Sequence, residues 1–427
     1  MKSIRIIFAG IFLLVASVSH AQSTSVDSLD IKIGQMLLIG FPGPAVDNKV
    51  LEEVRAGKVG SIIIFEKNIP AANSFVALKK IIWTYQHAAP IPLFVSIDQE
   101  GGRVNRLKDK YGFPRSITAA AMGKAPSLDS VRFYADATAS TLAGLGINMN
   151  FGPVVDLASN PNNPIIAKYG RAFSANEDSV SLLATEFVKQ HHRHNVLTDL
   201  KHFPGHGSSK DDTHLGIADV TNTWEARELT PYKILIDSGY ADAIMTSHIV
   251  NRKLDKRGLP GTLSKSVLDS ILRKQLRFDG VIFTDDMQMH AITKHYGLEE
   301  AIKLAILGGV DIMTFSNNIQ GSDQRTVDKV HSIVKDFVKR GVITEQRIDE
   351  SFRRIMKLKQ RLNNDDQSAY YQQALQQSNQ ELEKLKGELE VLKQAPVKPK
   401  EEVVVEEQPS KKKRKRKTRI KGSYSFG

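Results

Sequence analysis

Short apolar segments and amphipathic segments alternate along the chain between about residues 26 and 363. Eight apolar segments rich in β-branched residues have the length of strands: 36–41, 59–65, 92–98, 147–156, 197–203, 243–249, 280–286 and 311–316. Amphipathic segments of helical length separate them, among them 131–145, 179–195, 263–276 and 299–307. Strands that are apolar on both faces are typical of parallel sheets covered by helices. The alternation predicts an α/β fold with a single (β/α)8 barrel of the TIM type over residues 26–363. A doubly wound open sheet is the alternative.

Polar side chains lie at the carboxyl ends of five predicted strands, namely Asp98, Asp156, the Lys201-His202 pair, His248 and Asp285. Barrel enzymes build their active sites at that end. A single polar residue there would be explained by a turn or a helix cap. Polar residues at the ends of five strands favour a closed barrel with one shared site.

The first 21 residues have the features of a secretory signal. A basic start is followed by the apolar segment 6–18, and the small residues Ser19 and Ala21 stand at −3 and −1 of a cleavage site. The apolar segment is shorter than the roughly 20 residues of a membrane span. We therefore expect cleavage after Ala21, with an uncleaved anchor as the alternative, and an exported, periplasmic or envelope-associated protein.

The composition changes after residue 363. Residues 364–394 are rich in Gln, Glu, Lys and Leu, with leucines at heptad-like spacing: Leu375, Leu382, Leu385, Leu389 and Leu392. This spacing predicts a helical segment, although the heptads are too few to establish a coiled coil or an oligomeric state. Residues 395–427 are predicted to form a disordered basic tail.

The formal net charge of +12 is concentrated in that tail. Residues 411–421 contain nine Lys or Arg and no acid, which leaves +3 for all other residues. We therefore expect no specific nucleic-acid binding by the barrel. Our hypothesis is that the tail binds anionic envelope polymers. Salt-sensitive envelope retention should then be lost when residues 396–427 are deleted, and equal retention of the truncated protein would refute the hypothesis.

The absence of cysteine narrows the chemistry of the chain. It excludes disulfides, thiolate zinc sites, iron–sulfur ligation and a cysteine nucleophile. Catalysis, if present, has to use other side chains, and the strand ends offer Asp, His and Lys.

The fifth predicted strand leads into an informative loop. Lys201 and His202 end the strand, a Pro/Gly turn follows, and Asp212 stands two residues before His214. A carboxylate beside an imidazole orients the ring and raises its basicity, as acid–base catalysis requires. The pattern Asp-x-His is common, so a metal site in the loop and a helix N-cap made by Asp212 stay open.

Two acids follow the seventh predicted strand. Asp285 stands where a carboxylate nucleophile would lie at the mouth of a barrel. The alternative is the start of a helix, with Thr284 or Asp285 as N-cap and Asp286 favoured by the helix dipole. The residues by themselves leave both interpretations open.

Several segments together resemble glycoside hydrolase family 3. Within it, the chain is similar to the bacterial β-N-acetylhexosaminidases that process cell-wall muropeptides. The resemblance covers about residues 30–360 and rests on seven segments in family order: 97–104, 150–156, 160–164, 170–173, 201–207, 212–214 and 280–287. Agreement of several segments in order is far more specific than any one of them.

The resemblance implies a role for each matching residue. Asp285 matches the nucleophile that forms a covalent glycosyl-enzyme, and His214 matches the general acid/base with Asp212 as its partner. Four residues match those that hold the hydroxyl groups of an N-acetylglucosamine ring, namely Asp98, Arg171, Lys201 and His202. His248 lies where the family has another histidine near the site. No metal or other cofactor is implied. The expected activity is that of a retaining exo-β-N-acetylglucosaminidase.

Other functions stay open from the sequence. A β-glucosidase of the same family is disfavoured, because the Asp-x-His loop is present and residues after 363 lack the pattern of a second α/β domain. A phosphorylase of the family and a non-catalytic envelope glycan-binding protein are further alternatives. A metal-dependent hydrolase would need His202 and His206 as ligands. The cluster His192-Arg193-His194 is expected to be exposed near a helix C-terminus, where cations are favoured.

Overall fold

The computed structural model of the chain describes residues 28–213, 216–318, 327–362 and Gly387. The predicted signal, the basic tail and His214 lie outside the described residues, as does the leucine-spaced segment 364–394 apart from Gly387. Two compact units divide the chain at Asn364.

Eight parallel strands form the centre of the first unit. They are β1 (Leu37–Gly40), β2 (Ser61–Ile64), β3 (Phe94–Ile97), β4 (Met149–Asn150), β5 (Leu197–Phe203), β7 (Ala243–Thr246), β9 (Val281–Phe283) and β10 (Met313–Phe315). Two further short strands, β6 (Ala218–Asp219) and β8 (Ile249–Val250), pair with each other outside this sheet.

The eight-stranded sheet closes into a barrel. Each strand pairs with the next in chain order, and β10 pairs with β1 through Leu37 and Met313. The last gap is spanned by a parallel bridge between Phe283 and Ile312. This closure confirms the predicted (β/α)8 barrel and excludes the doubly wound sheet.

Helices cover the outside of the barrel. They are α1 (Leu29–Gln35), α2 (Asn48–Arg55), α3 (Ser74–Ala88), α4 (Ala119–Gly123), α5 (Asp129–Leu145), α6 (Glu177–Arg193), α7 (Thr230–Asp237), α8 (His290–Thr293), α9 (Leu298–Gly308), α10 (Val327–Lys339) and α11 (Glu345–Gln360). Segment Ser266–Gln275 is a π-helix, and short 3₁₀-helices occupy Glu66–Asn68, Asp109–Tyr111, Ala226–Leu229 and Gly261–Leu263.

Two predicted strands are interrupted in the structure. Segment 147–156 pairs regularly only at Met149–Asn150, because Pro153 has no N–H to donate to a ladder. Its continuation still lies against β5, where the Val155 N–H donates to the Lys201 carbonyl at 2.9 Å. In segment 243–249 the barrel strand β7 ends at Thr246, and Ile249 begins the short strand β8, which lies outside the barrel sheet.

The barrel interior is packed with aromatic and aliphatic side chains. The Phe283 ring lies 6.3 Å from the Phe94 ring and 5.4 Å from the Phe151 ring, centroid to centroid. At the amino-terminal end of the strands, the buried Lys359 amine donates to the Gln35 side chain at 2.6 Å and to the Gly60 carbonyl at 2.9 Å. Burial lowers the pKa of Lys359 to about 7. This end of the barrel is thus filled, and the opposite end is the open one.

Among the residues described, no helix combines the length and the apolar character needed to cross a membrane.

Candidate active site

A cavity of about 480 Å³ opens at the carboxyl ends of the barrel strands. Six of the residues predicted from the sequence line it: Asp98, Arg171, Lys201, His202, Asp212 and Asp285. The fold therefore brings residues as far apart in the chain as Asp98 and Asp285, which are 187 positions apart, into one cavity. A cavity of this size accommodates a sugar ring with room for part of a second group.

Buried ion pairs form one side of the cavity. The Lys201 amine lies 2.7 Å from Asp98 Oδ1 and 2.7 Å from Glu100 Oε1. Arg171 grips Glu100 with two donors, Nε to Oε2 at 2.7 Å and Nη2 to Oε1 at 2.8 Å. Arg106 Nη2 adds a contact of 3.2 Å to Asp98. Each side chain is thus held at a fixed position by at least one partner of opposite charge.

These pairs keep the carboxylates ionised. Burial opposes the charge on Glu100, but Arg171 and Lys201 outweigh it and lower the pKa of Glu100 to about 2. Burial likewise opposes ionisation of Asp98, and Lys201 with Arg106 lowers its pKa below the ordinary value. The pKa of Lys201 is raised, because Asp98 and Glu100 outweigh its burial. The wall is therefore a charged, preorganised hydrogen-bonding surface at neutral pH.

His202 joins this wall to a deeper carboxylate. Its Nδ1 lies 2.7 Å from Asp156 Oδ2, and its Nε2 lies 3.2 Å from Arg171 Nη2. A guanidinium can only donate, so Nε2 is the acceptor in this contact and Nδ1 donates to Asp156. Burial opposes the charge on Asp156, but His202 outweighs it and lowers the pKa of Asp156.

Asp285 faces the cavity from the segment that follows β9. Its side chain is half-buried, and Oδ1 accepts a hydrogen bond of 2.8 Å from the Asp286 N–H. The helix-start interpretation is wrong for this segment, because α8 begins at His290 with Met289 as its N-cap. Asp285 is thus a partly solvent-accessible carboxyl at the mouth of the barrel, where a nucleophile can reach a bound substrate.

Asp286, unlike the neighbouring Asp285, is buried and has a structural role. Its Oδ1 accepts from the Gln288 N–H at 3.0 Å, and its Oδ2 bonds to the Ser316 hydroxyl. Burial raises the pKa of Asp286 to about 6, although Ser316 partly offsets the effect. Asp286 therefore ties the Asp285 segment to the end of β10.

Asp212 lines the cavity from the loop after β5. Asn163 and Asn160 fasten this loop from the side: Asn163 Nδ2 donates to the His206 carbonyl at 2.8 Å, and Asn160 Nδ2 donates to the Ser209 carbonyl at 2.8 Å. His206 is buried at the base of the loop, and burial lowers its pKa to about 4, so the ring is neutral near pH 7. The loop thus carries Asp212 toward the open end of the barrel.

His248 differs from the other predicted residues, since it is not among the cavity-lining side chains. The ring is fully buried, with Nδ1 at 2.8 Å from Thr262 Oγ1 and Nε2 at 2.9 Å from the Asp286 carbonyl. This position places it behind the Asp285–Asp286 segment, where it supports the backbone.

The histidines at the end of α6 are engaged in pairs with other elements. His192 Nε2 lies 2.7 Å from Asp242, His194 Nε2 lies 2.8 Å from Asp136, and His191 Nε2 lies 3.0 Å from Asn150 Nδ2. In the cluster His192-Arg193-His194, which was predicted to be exposed, Arg193 is exposed but the two histidines are half-buried, and the neighbouring His191 is fully buried. Within the described part of the chain, no group of three or more His, Asp or Glu side chains is placed to hold a metal ion.

Sequence reasoning gave no role to three residues of this wall, Glu100, Arg106 and Asp156. Asp156 was visible as a strand-end residue, and Glu100 follows Asp98 closely enough that the same rule would have found it. Arg106 comes from a loop and has no local signal, because only the fold brings it to Asp98.

The sequence of this unit matches a known family. The model of the "Glycosyl hydrolase family 3 N terminal domain" matches residues 28–358. The chain belongs to glycosyl hydrolase family 3. As a member of this family it is a glycoside hydrolase.

Two bacterial β-hexosaminidases are similar in sequence to this chain. A "Beta-hexosaminidase" of Tolumonas auensis is 33% identical over 291 residues, which cover 67% of this chain and 84% of the relative. A "Beta-hexosaminidase A" of Pseudoalteromonas piscicida is 30% identical over 322 residues, which cover 71% of this chain and 54% of the relative. The chain therefore spans little more than half of the second protein.

Two solved structures resemble this unit as well, and the first of them is described as a glycoside hydrolase family 3 enzyme. A β-N-acetylglucosaminidase from Paenibacillus sp. shares 34% identity with a TM-score of 0.73, covering 78% of this chain and 62% of that protein. A β-N-acetylhexosaminidase from Beutenbergia cavernae shares 27% identity with a TM-score of 0.70, covering 78% of this chain and 98% of that protein. The TIM-type barrel is thus the family 3 fold.

Proposed function

We propose that the protein is a retaining exo-β-N-acetylglucosaminidase that removes terminal β-linked N-acetylglucosamine from muropeptides or related glycans. The observation that carries the proposal is the position of Asp285, half-buried at the mouth of the barrel and facing a wall of paired charges across one cavity. The names of the relatives from Tolumonas and Paenibacillus support the sugar specificity.

In the proposed first step, Asp285 attacks the anomeric carbon and forms a covalent glycosyl-enzyme. His214, oriented by Asp212, donates a proton to the departing oxygen. In the second step the same imidazole takes a proton from water, which then releases the sugar. Most retaining glycosidases use two carboxyl groups about 5 Å apart. A histidine near its unperturbed pKa of about 6.5 performs the same proton transfers at neutral pH without adding a second anion.

The charged wall accounts for the recognition of a sugar ring. Asp98 and Glu100 are acceptors for hydroxyl groups, and Lys201 and Arg171 are donors, all within one paired network. Because the partners already fix these side chains, little conformational entropy is lost when a sugar binds. The arrangement supports tight contacts to the terminal ring, as an exo-acting enzyme needs.

The experiment that tests the function compares two chromogenic substrates. Purified protein should release p-nitrophenol from the β-N-acetylglucosaminide, with kcat/KM at least about tenfold above that for the β-glucoside. Activity should be the same in EDTA, because the proposed chemistry uses no metal. Activity on the β-glucoside alone would contradict the sugar specificity, and inactivity on both would favour a glycan-binding protein.

A further inference from the structure

Two buried carboxyl groups lie beneath the loop that carries Asp212. Residues 204–213 leave β5 along the cavity wall, and Asp156 accepts a hydrogen bond of 2.7 Å from the His206 N–H. The second carboxyl belongs to Glu228, in the 3₁₀-helix Ala226–Leu229, and Glu228 is only 1% exposed. The loop is thus supported by one carboxyl from the barrel and one from the segment before α7.

Glu228 and the loop approach each other closely at Gly205. A Cβ added to Gly205 would lie 2.7 Å from the Glu228 Cβ and 2.8 Å from its Oε2, and the Gly205 φ of +117° is open only to glycine. The segment that precedes α7 makes a second contact with the loop, in which the Trp224 indole N–H donates to the Pro204 carbonyl at 3.0 Å. Glu228 is therefore part of the surface on which the loop rests.

The surroundings of Glu228 favour its neutral form. Among the described residues, no group makes a full hydrogen bond to either carboxyl oxygen, although the Ser208 hydroxyl and the Gly207 backbone lie close by. The titratable groups that face it are Asp156, whose negative charge repels a second anion, and the buried phenol of Tyr232 on α7. Burial, with a smaller effect of Asp156, raises the pKa of Glu228 to about 7.

We propose that Glu228 is a positioning residue for the loop 204–213: its neutral form holds the loop against the barrel, and its ionisation loosens the loop. An ionised carboxylate at this place would be buried beside Asp156 without a compensating cation in contact with it among the described residues, which is unfavourable. The effect on turnover rests on the proposed function, since it acts through Asp212.

The direction of the pH effect follows from linkage. When the loop is undocked, Glu228 is exposed and ionises near its ordinary pKa of 4.5, whereas in the docked loop it ionises near 7. Docking is therefore fully stabilised below pH 4.5 and loses that stabilisation as the pH rises to about 7. A shift of this size corresponds to a change of up to about 300-fold in the docking equilibrium.

Hydrogen exchange of the loop amides tests this directly and needs no substrate. Amides of residues 205–212 are followed in the full chain at pH 5 and pH 8, with each rate corrected for intrinsic exchange. The ratio of opening at pH 8 to opening at pH 5 should be at least about tenfold larger in the wild type than in Glu228→Gln, because the loop residue His206, whose pKa burial lowers to about 4, favours opening at the lower pH in both proteins. Glu228→Gln keeps the shape but does not ionise, so only the opposite pH response of His206 should remain in this variant.

Glu186→Gln serves as the matched control. Glu186 is also a buried carboxyl, but it pairs with Arg132 at 2.8 Å and Lys189 at 3.0 Å on α6, away from the loop. Its variant should follow the wild type. An equal pH response in wild type and Glu228→Gln would overturn the proposal. If Glu228→Gln does not fold, Glu228→Leu takes its place, and a pH response equal to that of the wild type overturns the proposal. Exchange is measured without substrate, so its result does not depend on whether the protein is active in the glycosidase assay.

Discussion

Replacing Asp285 with Asn should lower kcat for p-nitrophenyl β-N-acetylglucosaminide by about a thousandfold or more. The substitution keeps the shape of the side chain and its contact with the Asp286 N–H, but removes the negative charge that attacks the anomeric carbon. Loss of a nucleophile removes the covalent route, and the remaining groups give only residual catalysis. The measurement is kcat and KM by release of p-nitrophenol, together with a check of folding by circular dichroism.

Asp279→Asn is the matched control for this variant. Asp279 precedes β9 as Asp285 follows it, so the two acids lie at opposite ends of one strand. Asp279 is largely exposed and pairs with Arg354 at 3.2 Å. Its variant should keep kcat within about twofold, since an exposed pair contributes little. Equal losses of kcat in both variants would show that activity depends on negative charge near β9 and would contradict the role of Asp285 as the nucleophile.

The second large effect concerns stability. Lys201→Met should lower the free energy of unfolding by about 3–5 kcal/mol at pH 7, because it leaves Asp98 and Glu100 without the cation that lies 2.7 Å from each. Lys201 is only 2% exposed, so solvent cannot replace it. The loss should shrink as the pH falls below about 4. The pKa values of both carboxylates are depressed in the folded wild type, to about 2 for Glu100. The stability that they add is therefore complete above their unfolded pKa values of about 4 and is lost progressively as the pH falls toward the folded values. Urea denaturation at pH 7 and pH 3.5 measures both.

Lys108→Met controls for the loss of a lysine as such. Lys108 pairs with Glu66 where both side chains are about one-third exposed, at 37% and 32%. An ion pair of this kind contributes less than about 1 kcal/mol. A loss for Lys201→Met no greater than that for Lys108→Met would contradict the role assigned to the buried network.

The sequence was most informative where a residue's environment follows from its own neighbours. The fifth strand was predicted at 197–203 and is observed as Leu197–Phe203, because the Pro204-Gly205 turn that follows it is visible in the sequence. The carboxyl-end rule located Asp98, Lys201 and Asp285, since every strand of a parallel barrel ends at the same face. A local pattern and one topological rule were enough for these residues.

The features that were missed depend on partners distant in the chain. Proximity in sequence suggested an exposed cluster at His192-Arg193-His194, but Asp242 and Asp136 from other elements engage the two histidine rings. Glu228 reads as an ordinary acid ahead of a helix, and only the fold places it under Gly205. The truncation of the fourth strand had a signal in Pro153, whose missing N–H ends regular pairing.

The most direct test of the central claim, that Asp285 is the nucleophile of a retaining glycosidase, is to trap the covalent intermediate. The enzyme is incubated with 5-fluoro-N-acetylglucosaminyl fluoride, whose ring fluorine destabilises the oxocarbenium-like transition states, while the fluoride leaving group still permits the first step. The acid-quenched protein is digested, and its peptides are analysed by mass spectrometry. We expect one fluorosugar attached to Asp285 and no attachment in Asp285→Asn. A sugar attached to another residue, or to none while the inhibitor is being turned over, would contradict the account.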